Sequence, residues 1–285
     1  MRIDLHAHTT ASDGTDTPAQ LVAAAVAAGL DVLAITDHDT TRGWAQALDV
    51  RPAGLTIVPG AEFSCVHHDA QGGRVSLHLL GYLFDPDNAA LRAERSRLRE
   101  SRLARAREMV DRLAADGYRI TWERVGALAD GGAVGRPHIG RALVESGAVP
   151  DVSAAFSELL SSRGRYYVRK ADTDVFDGIR LVLAAGGLPV FAHPIARRRG
   201  PVVGDEVIAA MADAGLVGLE VSHPDHDAAD REHAAALARE LGLIGTGSSD
   251  YHGNNKTTRL GACTTDPEAY ERLLALPSAR SPVES

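Results

Sequence analysis

Lysine is almost missing from this 285-residue chain: of 30 basic residues, only Lys170 and Lys256 are not arginine. Genomic base composition accounts for the bias, yet a site that needs a lysine has two positions to draw on. Cysteine is as scarce. Cys65 and Cys263 lie far apart without CxxC spacing, which argues for reduced core residues rather than a disulfide or thiolate zinc site. No apolar run approaches the roughly 18–20 residues that span a bilayer. Met1-Arg2 leads straight into a strand-like segment with no export signal, so no membrane contact and a cytoplasmic location are expected. Positive charge is also lacking: a formal net charge of −8 excludes a protein that coats nucleic acid by bulk attraction. It leaves room for a small anionic substrate or a single RNA end, because divalent cations would cancel part of that charge.

What is present is a strand–helix alternation. Residues 2–5 read as a short strand, and Thr17-Pro18 opens a helix that Gly29 stops. Residues 31–36 form an apolar run typical of a strand buried on both faces. A helix over 41–48 and strands over 55–59 and 75–81 follow, implying βαβ units and a parallel sheet. After Asp85-Pro86-Asp87 the pattern turns helical: 89–115, then 122–129, 139–146 and 152–161. Alternation resumes with helices over 174–185, 206–214 and 230–241 and strands over 189–192, 218–222 and 244–247. The expected organisation is an α/β catalytic core in two parts, 1–85 and 166–285, split by a mostly helical insertion, 86–165. Residues 277–285 read as a loose tail. The arginines between Arg92 and Arg107 alternate with Glu94, Glu100 and Glu108, which suits a solvated helix face better than a track for RNA.

Nine side chains at or near strand ends can hold metal. His6 and His8 stand two apart, so both imidazoles face one side of an extended segment. Asp13 follows in a polar loop. His38, within Thr36-Asp37-His38-Asp39, closes an apolar strand on ionisable groups, an expensive placement unless they line a polar site. Glu62 follows the 55–59 strand and can bridge two ions; His78 lies inside the next one. His193 closes 189–192, and Asp250 and His252 repeat the two-apart spacing after the last strand. Singly, each has an ordinary structural explanation; nine such coincidences are rejected. Imidazoles and carboxylates without thiolate suit Zn, Mn or Fe(II).

The motifs DLHAHTTASDG (4–14), ITDHD (35–39), PGAE (59–62), LHLLGY (77–82), FAHP (191–194) and GSSDYH (247–252) resemble the PHP (polymerase and histidinol phosphatase) superfamily. The resemblance implies a distorted seven-stranded (β/α) barrel holding two to three divalent ions, Mn, Fe or Zn, at its mouth. His6, His8, Glu62 and Asp250 would hold one ion; Glu62, His78 and His193 a second; Asp13, His38 and His252 a third. GRPHI (135–139) and GLEVSHPDH (218–226) are similar to a branch of nucleoside 3′,5′-bisphosphate phosphatases and 5′-to-3′ exoribonucleases. Arg136 and His138 would then contact substrate phosphate, with Arg197 the expected partner among Arg197, Arg198 and Arg199. His226 is the expected proton donor, with His223 as its rival, and Asp37 would orient a ligand from behind.

The implied activity is hydrolysis of a nucleotide phosphate ester by metal-activated water, on a nucleoside bisphosphate, a monophosphate or a short 5′-phosphorylated RNA, with no obligate protein partner. Two alternatives compete. Histidinol-phosphate hydrolysis is disfavoured by the GRPHI segment. An amidohydrolase-type C–N hydrolase commonly bridges its metals with a carboxylated lysine, and neither lysine here follows a suitable strand.

Overall fold

The computed structural model describes residues 1–69, 72–129, 134–161, 164–169 and 171–284. Its strands are β1 (Ile3–Asp4), β2 (Val32–Ile35), β3 (Thr56–His68), β4 (Arg74–Tyr82), β5 (Thr173–Asp174), β6 (Leu188–Phe191), β7 (Gly218–Ser222) and β8 (Ile244–Gly247). Around them run α1 (Pro18–Ala27), α2 (Gly43–Asp49), α7 (Val175–Ala184), α8 (Asp205–Asp213), α9 (Ala228–Glu240) and α10 (Pro267–Leu274). Between β4 and β5 lie α3 (Ala89–Ala115), α4 (Trp122–Ala129), α5 (Arg136–Glu145) and α6 (Val152–Glu158).

Seven strands follow the path β1-β2-β3-β4-β6-β7-β8 in a nearly closed barrel, with β5 paired beside β3. Closure comes from the chain just beyond β1 and β8. Ala7 bridges Tyr251 in parallel, and Thr265 N–H donates to the Ile3 carbonyl at 2.9 Å. The period of two is visible in β2. Val32 and Ala34 pack with Ile3, Val58, Leu80 and Val190, whereas Leu33 and Ile35 pack toward the helices with Leu21, Trp44 and Ile57. Both faces are covered, so the strand is apolar throughout. The helices between β4 and β5 bury a cluster of their own, including Met109, Val125, Ile139, Leu143 and Leu160. Among the described residues no helix is long and apolar enough to cross a membrane.

Three expectations change. The sheet is mixed, because β4 runs antiparallel to both β3 and β6. Only residues 69–73 separate His68 from Arg74, too few for the dozen-residue crossover that parallel strands require. The tail is strapped down through residue 283: Ala279 and Arg280 donate backbone bonds to Gly186 and Leu83, and Val283 pairs both ways with Ile57. Finally, α3 is not a simple solvated arginine face. Leu91, Leu98, Met109, Val110 and Leu113 are buried as expected, but so are Arg95, Arg102 and Arg105. Arg102 Nη2 donates to Asp39 Oδ2 at 2.7 Å and to Ser64 Oγ at 2.8 Å. Spacings of three and four residues put these arginines on the apolar stripe, a position composition alone does not report. Lys170 lies outside the described residues.

Candidate metal centre

All nine side chains read as ligands converge at one end of the barrel. Glu62 is the hub. Its Oε1 lies 2.7 Å from His78 Nδ1 and 3.1 Å from His193 Nε2. Its Oε2 lies 3.3, 3.1 and 3.1 Å from His6 Nε2, His8 Nε2 and His38 Nδ1. Glu62 does not follow a strand as expected; it sits within β3, opposite Leu80 of β4, with its amide donating to Thr36 O at 3.1 Å. Three overlapping groups have donor atoms within 4.8 Å of one another: His6, His8 and Asp250; His38, Glu62 and His78; and His8, Asp13, His38 and His252. Most of the set is buried, but the His78 side chain keeps 27% of its exposure and marks the open rim.

The donor set fits metal on two further observations. His38 Nδ1 and His78 Nδ1 lie 3.1 and 2.7 Å from Glu62 oxygens yet make no hydrogen bond, contacts that a shared cation would complete. His6 Nε2 and His8 Nε2 face each other at 3.0 Å, an approach that requires a proton or a cation between them. Tautomers are set from behind. His252 Nδ1 donates to Asp250 O at 2.9 Å and turns Nε2 toward Asp13 Oδ1, 3.4 Å away. His6 Nδ1 donates to Glu220 Oε1 at 3.2 Å and leaves Nε2 for the cluster.

Electrostatics divides the imidazoles. Burial lowers His193 to about 3, with the Arg199 charge acting in the same sense, and lowers His252 to about 4. Burial also lowers His38, so these three stand neutral and ready to ligate. For His8 burial acts downward too, but the hydrogen bonds to Asp250 and Glu62 outweigh it and raise the group to about 9. His6 is likewise raised, against its burial, by Glu62, Asp250 and Glu220. A proton held between His6 Nε2 and His8 Nε2 therefore occupies the place of a cation. Because His8 is raised above its unfolded value, its charged form stabilises the metal-free protein below about pH 6.5. That contribution is lost as pH rises through about 9. Metal must displace that proton, so its affinity should rise with pH by about tenfold per unit for each proton released. Calorimetric titration in buffers of different ionisation enthalpy counts the protons; a flat affinity between pH 6.5 and 9 would refute the assignment.

The surrounding residues were only partly foreseen. Asp37, expected to orient a ligand, instead ties down the loop that leads to Asp13, accepting from Thr9 N–H at 2.8 Å, Thr9 Oγ1 at 2.8 Å and Ser12 Oγ at 2.7 Å. The same loop needs glycine at 14, where a Cβ would stand 2.5 Å from the His8 carbonyl oxygen. Arg136 and His138 open α5 beside Asp13. There His138 Nδ1 accepts from Gly135 N–H at 3.0 Å, while Arg136 Nη1 donates to Leu160 O and its guanidinium lies over Phe156 and Tyr167. The helix starts three residues earlier than read, because extended Gly135 and the His138 ring cap it.

Arg197 does not reach the centre: it is exposed, 3.8 Å from Asp230. Arg199 does, with Nη2 donating to Asp250 Oδ2 and Nε to Asp225 Oδ2, both at 2.6 Å. His226 is unsuited to proton donation, since Nδ1 donates to Val221 O at 2.9 Å and Nε2 accepts from Ile195 N–H at 3.2 Å. His223 holds the better position. Its Nδ1 accepts from Asp225 N–H at 3.0 Å, so the proton is on Nε2, 3.4 Å from Asp250 Oδ2.

Sequence reading missed Glu220, Lys256 and the role of Asp39. Glu220 accepts from His6, from His193 N–H at 2.7 Å and from Ser248 Oγ. A carboxylate between Leu219 and Val221 in a buried strand was the available signal. Lys256 Nζ donates to Asp250 Oδ2 at 2.7 Å, beside Arg199. Asp250 thus gives Oδ1 to His6, His8 and His252 and Oδ2 to two cations. Asp39, His193 and Asp250 all carry positive φ, at 54°, 32° and 49°.

Comparison with known proteins follows the same outline. A family model described as PHP domain matches residues 4–128. The chain is 36% identical over 256 residues to phosphoribosyl 1,2-cyclic phosphate 1,2-diphosphodiesterase of Eggerthella lenta, covering 88% of this chain and 94% of that protein. It is 34% identical to 3′,5′-nucleoside bisphosphate phosphatase of Chromobacterium violaceum, covering 88% and 87%. Identity is again 34% to a 5′-3′ exoribonuclease of Haemophilus influenzae, covering 88% and 90%. A crystal structure from Bifidobacterium adolescentis, described as a metal-dependent phosphoesterase, superposes with a TM-score of 0.89 at 36% identity over 95% of both chains.

Proposed function

Because the chain belongs to the PHP family of metal-dependent phosphoesterases, we propose that it hydrolyses phosphate esters of nucleotides, nucleoside 3′,5′-bisphosphates first among them. The observation that carries this reading is the convergence of nine imidazole and carboxylate side chains from separate segments on one end of the barrel, five of them in contact with Glu62. Two or three divalent ions, Mn, Fe or Zn, suit the donors: His6, His8, Glu62 and Asp250 for one, Glu62, His78 and His193 for a second, Asp13, His38 and His252 for a third. Bound ions supply an activated water and neutralise charge on the phosphoryl oxygens.

The chain's own residues do the rest. Glu220 and Asp37 hold His6 and the Asp13 loop in register. Arg199 and Lys256 hold the outer oxygen of Asp250 and leave its inner oxygen to His6, His8 and His252. Residues 86–165 act as an insertion into the core formed by 1–85 and 166–285, and bring Arg136 and His138 to the phosphate. Relatives that cleave a cyclic phosphate, a bisphosphate and RNA share phosphoester chemistry rather than one leaving group, and nothing in the site favours histidinol phosphate or C–N hydrolysis. The test is a panel on metal-reconstituted protein: adenosine 3′,5′-bisphosphate, AMP, histidinol phosphate and short 5′-phosphorylated RNA. The bisphosphate should give the highest kcat/KM. Preferred turnover of histidinol phosphate, or of none of the four, overturns the reading.

A further inference from the structure

The buried arginines of α3 are not alike. Arg95 donates to Thr41 Oγ1 at 2.8 Å and to Pro86 O, and lies over the Phe84 ring. Arg102 is paired with Asp39. Arg105, one turn further along the same face, is 5% exposed and has neither a hydrogen-bond acceptor nor a carboxylate at ion-pair distance among the described residues. Its charged neighbours are chiefly cations: Arg102 and Arg136 oppose its charge, and burial opposes it more strongly still. Asp39, the nearby carboxylate, is already taken by Arg102 and by Ser64 N–H and Oγ. A desolvated guanidinium without a partner, with other cations nearby, is unfavourable unless an anion joins it.

The position of the cluster says which anion. Gly135, at the N-terminus of the ten-residue helix α5, is the meeting point. A Cβ there would lie 3.8 Å from Arg102 Nη1 and 3.9 Å from Asp13 Cβ, so Arg102, one turn before Arg105 on α3, adjoins a proposed ligand. Resting on the phosphoester reading above, we propose a second anion site, centred on Arg105, that receives a phosphate of the substrate other than the one hydrolysed. The planar guanidinium suits two phosphate oxygens.

Two variants, Arg105→Gln and Arg105→Met, test this. For adenosine 3′,5′-bisphosphate kcat/KM should fall about 10–100-fold, the usual loss for a charged hydrogen bond. For adenosine 3′-monophosphate, which lacks the second group, it should fall by less than about threefold. A 5′-phosphorylated dinucleotide separates the sources: a loss as large as that of the bisphosphate means the site also accepts a phosphate of an RNA end. Metal-stripped protein gives a readout independent of catalysis. Sulfate should raise the Tm of the native chain and not that of Arg105→Met, and in sulfate-free buffer the variant should melt higher because an unpaired charge has gone. A lower Tm with equal losses on both adenosine substrates would make Arg105 structural and overturn the proposal, as would no loss on either. If the native enzyme hydrolyses neither ester while the sulfate response still depends on Arg105, the phosphoester reading falls and the anion site stands.

Discussion

Replacing Glu62 with glutamine should lower phosphoester hydrolysis by about 10³-fold or more, since a catalytic ion supplies several kcal/mol of charge stabilisation. Both carboxylate oxygens contact imidazoles, two on one side and three on the other. Glutamine keeps the shape but loses the charge and one acceptor. Burial raises the Glu62 carboxyl, but the imidazole charges of His78 and His6 hold it well below the ordinary range, so it is ionised throughout the working pH. Metal content by elemental analysis should drop with the rate. A fully metallated variant with native kcat would remove Glu62 from the centre.

Replacing Arg102 with leucine should destabilise the fold by about 3–5 kcal/mol, the range for breaking a buried ion pair from one side. Both partners are almost wholly covered, at 7% and 0% side-chain exposure, and the change takes the countercharge from the buried Asp39 carboxylate. Melting should shift down by roughly 2–4 °C per kcal/mol in a chain of this size. Adding Asp39→Asn should recover part of the loss by neutralising the stranded charge. A single variant that melts like the native protein would show that the pair contributes nothing.

The core of this molecule was legible because its chemistry is periodic. Apolar runs gave β2, β6, β7 and β8 within a residue or two, and the candidate ligands His6, His8, His193, Asp250 and His252 sit just past strands. Glu62 and His78 were harder, since they belong to a hairpin whose strands run past the barrel mouth; only the short gap between them reports the reversed direction. Arg199 was displaced by Arg197 because three consecutive arginines look alike until a short helical turn aims one inward. His226 and His223 differ in which backbone groups they meet, a distinction no spacing carries. The helix α10 was not read, and the strap over 279–283 looked like a polar tail because its pairing partners lie far away in sequence.

The left-handed backbone at Asp39, His193 and Asp250 sets chemistry against durability. Non-glycine residues held there cost roughly 1–3 kcal/mol apiece, against a whole-fold stability of about 5–15 kcal/mol. Glycine would relax each corner, and each corner would then lose the side chain that gives it a purpose. Attempts to toughen this protein will therefore meet a trade-off at these three residues, and gains that leave the hydrolytic centre intact must be sought elsewhere in the chain.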